Sequence, residues 1–393
     1  MKIVFQANQL AKVLKDVTRI IPASAKTNTH RFVRIQADRD DCRVEFETTS
    51  HEAAMRRTLY DELVQSPAKI SESGSCLLPA RDLLEIVKHA KDTVSMETGG
   101  LNGTSVILQF DNAKFEMQGL EPDLFTPYKN SASSISCISV NALQLKNLLE
   151  HTTYACSTTE TRPILTGVNF QIVEGKINAV ASDGLRLSQM TVEAKNAEGA
   201  QGNLTIPKAT LESLAAILPH DDDEVVELEF GDAGLVATWA DDSTRCVMRA
   251  IDGTFPDVTR IVPRVMRTNL RVNRNELLTS FERIEIIAGE NENKMMHVEF
   301  RPTDLLLTAS SSTAGSAADI VNLVEPISDE VEPMLFNIRY WLDVLKSFNT
   351  EDEVIVGING QNQPITVRPA NADYLALLSP IMYTASVQLA KSA

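Results

Sequence analysis

Aromatic residues make up only 5% of this 393-residue sequence, so stacking on flat rings is not the main basis of any binding to bases or sugars. Long apolar stretches are missing too. No run of about 18 apolar residues occurs, and the opening MKIVFQANQL carries Gln6 and Asn8 where a secretory leader is apolar. The expectation is a soluble, cytoplasmic protein with no membrane partner. The five cysteines (Cys42, Cys76, Cys137, Cys156 and Cys246) are odd in number, scattered and never spaced as CxxC, which supplies neither a zinc site nor a disulfide framework. Phosphate loops, dinucleotide fingerprints and nucleophile elbows are absent, and His30, His51, His89, His151 and His297 show no HExxH spacing. The reading is therefore no metal, no cofactor and no catalysis. A metal-dependent hydrolase built on His220-Asp-Asp-Asp-Glu224 is the enzyme alternative. Adjacent carboxylates on a strand or helix point apart, however, and a solvated loop after a helix ending near Leu218 explains the run better. An excess of positive charge is lacking as well: 37 Lys and Arg stand against 53 Asp and Glu, a net charge of −16. Taken alone, that balance argues against a phosphate backbone as partner.

What the chain does have is repetition. An amphipathic pattern at Gln9 to Val17 recurs at Gln144 to Leu149 and at Glu276 to Ile284, and its lead-ins Phe5-Gln6-Ala7, Val140-Asn141-Ala142 and Val272-Asn273-Arg274 line up. A second pattern recurs in step at Pro79 to Leu83, Pro207 to Leu211 and Asn337 to Trp341. Hairpin ends repeat as Val44 to Ser50, Ile177 to Asp183 and Leu305 to Ser311, and a turn repeats as Gly119 to Asp123 and Gly253 to Asp257. Periods near 130 residues are whole small domains rather than solenoid units. Boundaries follow near 130 and 260, giving domains 1–130, 131–259 and 260–393, the last with an extra tail over 384–393. Apolar residues at i, i+3, i+4 and i+7, as in Leu10, Val13, Leu14 and Val17, predict helices that bury one stripe. Alternating stretches around Glu174-Gly175 and Asn359-Gly360 predict hairpins. The fold class is α+β: three tandem domains, each with two helices on a mainly antiparallel sheet, in the order helix, strands, helix, strands.

Charge is not spread evenly over these elements. Six helix windows (8–20, 80–91, 142–151, 208–218, 274–284 and 338–348) hold twelve basic and eight acidic residues, so they carry +4 and the remainder −20. Any helix has a solvated polar face; the sign asymmetry is what that bland account explains poorly. If the helices line one concave surface, Lys12, Lys15, Arg19, Arg81, Lys88, Lys146, Lys208, Arg274, Arg339 and Lys346 suit loose, sequence-independent contact with duplex DNA.

Thr161-Arg-Pro-Ile-Leu-Thr-Gly-Val168, Ala181-Ser-Asp-Gly-Leu-Arg-Leu187, Phe255-Pro-Asp257 and Phe336-Asn-Ile-Arg-Tyr-Trp-Leu-Asp-Val-Leu-Lys346 occur in this order within the three-fold repeat. Together they resemble the bacterial β sliding clamp family, the processivity factors of DNA polymerase III, over essentially the whole chain. The resemblance implies a head-to-tail homodimer of three-domain subunits that closes a pseudo-six-fold ring around duplex DNA. It also implies, as partners, the DNA polymerase III alpha subunit, a clamp loader and other proteins carrying short clamp-binding peptides. The family's peptide cleft maps onto Leu165, Ser182, Gly184, Leu185, Arg186 and Leu187, onto Pro256, Arg260 and Ile261, onto Asn337 and Tyr340, and onto Leu377, Leu378, Ser379, Pro380, Ile381 and Met382. An apolar pocket with a few polar anchors suits a short Leu- and Phe-bearing peptide.

The chain departs from the family pattern in four respects. Met382 stands where an arginine is usual, and Met cannot donate to peptide carbonyls. A further tail, Tyr383 to Ala393, follows. Thr159 replaces a longer polar residue, and 26–33 matches poorly. A diverged clamp paralogue serving a specialised polymerase is the alternative that the C-terminal departures motivate.

Overall fold

The computed structural model describes residues 1–22, 28–61, 66–99, 104–127, 134–221, 223–240, 242–263, 265–290, 294–348, 352–370 and 373–382. The tail 383–393 and Asp222 lie outside the described residues. Six α-helices are described: α1 Ala7–Thr18, α2 Ala80–Val87, α3 Ala142–Thr152, α4 Lys208–Ala215, α5 Arg274–Ala288 and α6 Ile338–Ser347.

The apolar stripes go inside, as their spacing requires. Leu10, Val13, Leu14 and Val17 of α1 are each at most 1% exposed, and they pack with Phe5 and Phe46, whose rings stand 5.8 Å apart. In α6, Trp341 meets Phe281 of α5 at 5.1 Å and Phe336 at 5.7 Å. The starts of α5 and α6 are set by asparagine. The Asn273 side chain accepts from Asn275 N and Glu276 N, and Asn337 accepts from Arg339 N, satisfying amides that no helical carbonyl can reach. Each repeat opens on a strand rather than directly on a helix: Lys2–Gln6, Ser134–Asn141 and Thr268–Asn273 precede α1, α3 and α5. The expected hairpins form. Gly167–Val173 pairs with Lys176–Ser182 through a turn in which Glu174 has φ +50° and Gly175 φ +78°. Glu353–Ile358 pairs with Ile365–Pro369.

The chain packs as two compact units, Met1–Lys146 with Ala194–Ile251, and Asn147–Glu193 with the described residues from Asp252 on. Sheets run across the repeat borders expected from the sequence. In the first unit one sheet has the order Ala68–Glu72, Lys2–Gln6, Thr93–Gly99, Ser105–Phe110, Ala113–Gln118. The other sheet of that unit contains an antiparallel pair between Ala53–Tyr60 of the first repeat and Thr244–Arg249 of the second, with Ala54 opposite Val247. In the second unit the same kind of pair joins Arg186–Glu193 of the second repeat to Tyr374–Leu378 of the third, with Leu187 opposite Leu377. A separate four-stranded sheet there runs Gly315–Asn322, Asp304–Ser311, Met295–Phe300, Met334–Asn337. Backbone ladders of this kind bury each border's edge strands, which is why the sequence repeat and the compact unit do not coincide.

Candidate functional site

The proposed peptide-cleft residues all belong to the second unit, and most converge on one hairpin. The chain reverses between Lys176–Ser182 and Arg186–Glu193 through Asp183, Gly184 and Leu185, with Gly184 at φ +92°, where a side chain would be strained. Asp183 organises the turn. Its Oδ1 accepts from Leu185 N at 2.9 Å and Arg186 N at 3.0 Å, and its Oδ2 accepts from Arg186 Nε at 3.0 Å. Ser182 Oγ donates to the Arg186 carbonyl at 2.7 Å and accepts from Gly184 N. The turn thereby lifts Leu185 into solvent at 54% exposure, while Leu185 O receives Ser379 N at 2.9 Å.

Arg186 is buried, and its guanidinium is held from several sides. Nη1 reaches Asp343 Oδ2 of α6 at 2.5 Å, and the Cζ atom lies 4.5 Å from the Tyr340 ring centroid and 5.5 Å from that of Tyr154. Burial works against its charge, but hydrogen bonding and attraction from Asp343, then Asp183, outweigh it and hold the pKa above the ordinary arginine value. Beside it stands a second pair, the half-buried Tyr154 OH and the buried Tyr374 OH at 2.5 Å, whose phenols are pushed up mainly by desolvation.

Leu187, Leu377 and Val180, each 2% exposed, form a small apolar cluster, and Phe255, Val258 and Val262 pack against it. This places the Pro256 segment beside Leu187. Around the cluster stand exposed apolar side chains: Leu185, Ile261 at 51% and Met382 at 67%. Arg260 projects with its side chain 90% exposed, loosely paired with Asp257 at 3.9 Å. Leu165 sits buried in the short helical turn Pro163–Thr166, its carbonyl bonded by Ser157 N at 2.8 Å. Pro380 leads to Ile381, whose N–H bonds Leu335 O at 2.7 Å. Three of these residues have structural tasks of their own. Leu378 belongs to the core of the third repeat, because side chains alternate along a strand and Leu377 takes the cleft side. Asn337 spends its side chain capping α6. Arg186 is a structural pivot rather than an open anchor.

The cations expected to face DNA also separate. Lys146 is only 8% exposed, with Nζ 2.7 Å from His220 Nε2, so it does not present a solvent-facing charge. Lys88 pairs with Glu85, Lys208 with Glu212, Arg339 with Glu285 and Lys346 with Glu282. Arg274 donates to Leu345 O and Asn275 Oδ1. Across the helices as they stand, nine basic and nine acidic residues balance, because α5 runs on through Glu285 while Arg19, Lys88 and Lys91 fall beyond α1 and α2. The positive excess therefore belongs to the flanks of two helices. Lys12, Lys15 and Arg19 are exposed, and in the first unit Lys15, Arg19 and Arg81 line a groove of about 660 Å³ between α1, α2 and α4. Arg81 Nη2 donates to Ile21 O at 2.9 Å there. No group of three potential metal-ligating side chains occurs among the described residues. Of the 220–224 run, His220 contacts Lys146 and Glu224 Oε1 accepts from Ala240 N at 2.8 Å. No described helix is long and apolar enough to cross a membrane.

The sequence matches the DNA polymerase III beta subunit family in three consecutive parts: N-terminal domain over residues 1–128, central domain over 139–257 and C-terminal domain over 259–383. The beta sliding clamp of Bacillus subtilis (strain 168) is 28% identical over 385 residues, covering 96% of this chain and 98% of that protein. A crystal structure of the DNA polymerase sliding clamp from Bacillus subtilis superimposes with a TM-score of 0.89 at 26% identity, covering 98% of this chain and 100% of that one. A Pseudomonas aeruginosa sliding clamp bound to griselimycin shares the fold, with a TM-score of 0.87 at 20% identity over 98% of this chain and 100% of that one. With its three tandem clamp domains and antiparallel sheets, the chain belongs to the DNA polymerase III beta subunit family, the bacterial sliding clamps.

Proposed function

We propose that two copies of this chain close head to tail into a six-domain ring around duplex DNA and tether DNA polymerase III for processive replication. The observation that carries the ring is the strand pair used twice inside the chain, Ala54 opposite Val247 and Leu187 opposite Leu377. Two strands of the same type stand last in their sheets, Gly315–Asn322 and Ala113–Gln118. The hairpin register makes Ser316 the counterpart of Ala54 and Leu187, and Glu116 the counterpart of Val247 and Leu377. A third pair, between subunits, then sets Ser316 against the partner's Glu116 and Ala317 against the partner's Phe115. Such a heterologous contact either closes or grows into a filament, and two three-domain arcs suffice to close it.

The domains of this ring are 1–130, 131–259 and 260–393. Lys12, Lys15, Arg19 and Arg81 make loose backbone contacts with DNA, while retention is topological. The cleft around Leu187 takes short peptides from the polymerase alpha subunit, the clamp loader and other partners, with aliphatic anchors entering beside Leu185, Ile261 and Met382. The chain itself catalyses nothing and holds no cofactor, and its place is the cytoplasm. Crosslinking tests the ring: Phe115→Cys with Ala317→Cys in one chain should yield covalent dimers on oxidation, while Phe115→Cys with Leu306→Cys should not. Failure of the first pair to crosslink in a chain that sediments as a dimer would discard this closure.

A further inference from the structure

Strand register allows the two internal junctions to be compared residue by residue. Ala53 opens its strand opposite Met248, as Arg186 opens its strand opposite Leu378. The preceding hairpins agree, with Thr49 facing Ala54 and Ser182 facing Leu187. The α4 and α6 repeats put Thr210 in the place of Tyr340 and Ser213 in the place of Asp343, and the α1 and α3 repeats put Arg19 in the place of Tyr154. Where the second unit clamps a guanidinium between two tyrosine rings, the first unit has an alanine methyl between Arg19 and Thr210. Both supporting acids are gone as well, Asp183 becoming Ser50 and Asp343 becoming Ser213. The set is exchanged as a whole, and space is left behind. In the first unit a pocket of about 410 Å³ opens there, walled by Arg19, Ile20, Ala53, Thr210 and the edge-to-face pair His30 and His51, whose rings stand 4.5 Å apart.

We propose that this pocket binds an aromatic side chain with a donor at its tip, a tyrosine presented by a peptide, in the place the Tyr340 ring holds at the sister site. The aliphatic anchors of the cleft do not transfer, because Leu165, Leu185 and Leu187 have His30, Glu52 and Ala54 as counterparts. A guanidinium is poorly served: both aspartates of the sister clamp are replaced by serine, Glu52 is the one acid among the lining residues and already accepts from Thr210, and Arg19 adds like charge. A ring, by contrast, finds the Arg19 guanidinium for a cation–π contact, imidazole edges and the methyl of Ala53. Its hydroxyl finds Glu52, whose Oε2 already receives Thr210 Oγ1 at 3.4 Å.

Saturation-transfer NMR of the full chain with 4-methylphenol tests this. Expected is saturable binding in about the millimolar range, competed by N-acetyl-tyrosinamide and insensitive to a Gln-Leu-x-Leu-Phe peptide. Thr210→Tyr, which supplies the ring from within, should abolish it, and Arg19→Met should weaken it about two- to fivefold. Ala53→Leu fills the same space by another route if Thr210→Tyr does not fold. Absence of saturable binding, displacement by the cleft peptide, or binding unchanged in a folded pocket-filling variant would overturn the proposal.

Discussion

Arg186 and Asp343 stand 2.5 Å apart, and through them the first residue of a cleft strand is fastened to α6. The same guanidinium holds Asp183 at 3.0 Å, so the turn that presents Leu185 is fixed from both ends. In the proposed cleft the turn is thus preorganised before any peptide arrives, which would reduce the ordering cost of binding.

Asp343→Asn should leave Arg186 with one acid instead of two. Asp343 is 42% exposed, so solvent screens the pair and the loss of stability should be about 1 kcal/mol, well below that of a fully buried pair. Peptide affinity should fall by about tenfold as the turn loosens. Fluorescence anisotropy of a labelled Gln-Leu-x-Leu-Phe peptide, beside a urea melt, measures both; unchanged affinity would detach the ion pair from the cleft.

Leu187→Ala removes the centre of the cluster with Val180 and Leu377. A cost of about 2–4 kcal/mol is expected in chemical denaturation, with peptide binding reduced beyond detection at micromolar protein. Ile261→Ser, at an exposed position, should leave stability nearly unchanged and still weaken binding.

These side chains show where sequence was sufficient and where it was not. Apolar periodicity placed the stripes of α1, α4 and α6, and the hairpin at Glu174-Gly175 followed from its turn residues. The cleft segments were legible as motifs, although their internal roles were not. That Leu378 faces the core of the third repeat while Leu377 faces the cluster with Leu187 depends on the strand's orientation, and that Arg186 is consumed by Asp343 depends on residues 157 positions apart in sequence. The helix charge differs from the windows read off the sequence because α1 stops before Arg19, α2 stops before Lys88, and α5 continues through Glu285.

DNA contact should be weak and should reside mainly in the groove of the first unit. Removing Lys15 and Arg81 together should flatten the slope of log K against log salt by up to about 2. Lys146→Gln should leave that slope unchanged, since Lys146 is turned toward His220. Equal effects from the two substitutions would show that the exposed cations are not the ones that matter.

Thiol chemistry offers a pH readout. Burial drives the Cys76 and Cys246 thiols up to about 12, and Cys156 is buried, so none should react with a disulfide reagent in the native state near pH 8. Cys42 and Cys137 are exposed. Desolvation, then Glu227 and Glu229, raise the Cys137 pKa, so its thiolate fraction and rate should be low at pH 7 and climb as pH increases. More than two native-state equivalents would contradict the burial of the other three.

Retention on circular against linear DNA tests encirclement most directly. Labelled protein, loaded onto a nicked circular plasmid by the proposed clamp loader, should stay bound through gel filtration at high salt. A single restriction cut should release it by sliding from the ends. Persistence on the cut plasmid, or loss from the intact circle at the same salt, would mean that the chain holds DNA by contact and not by closure.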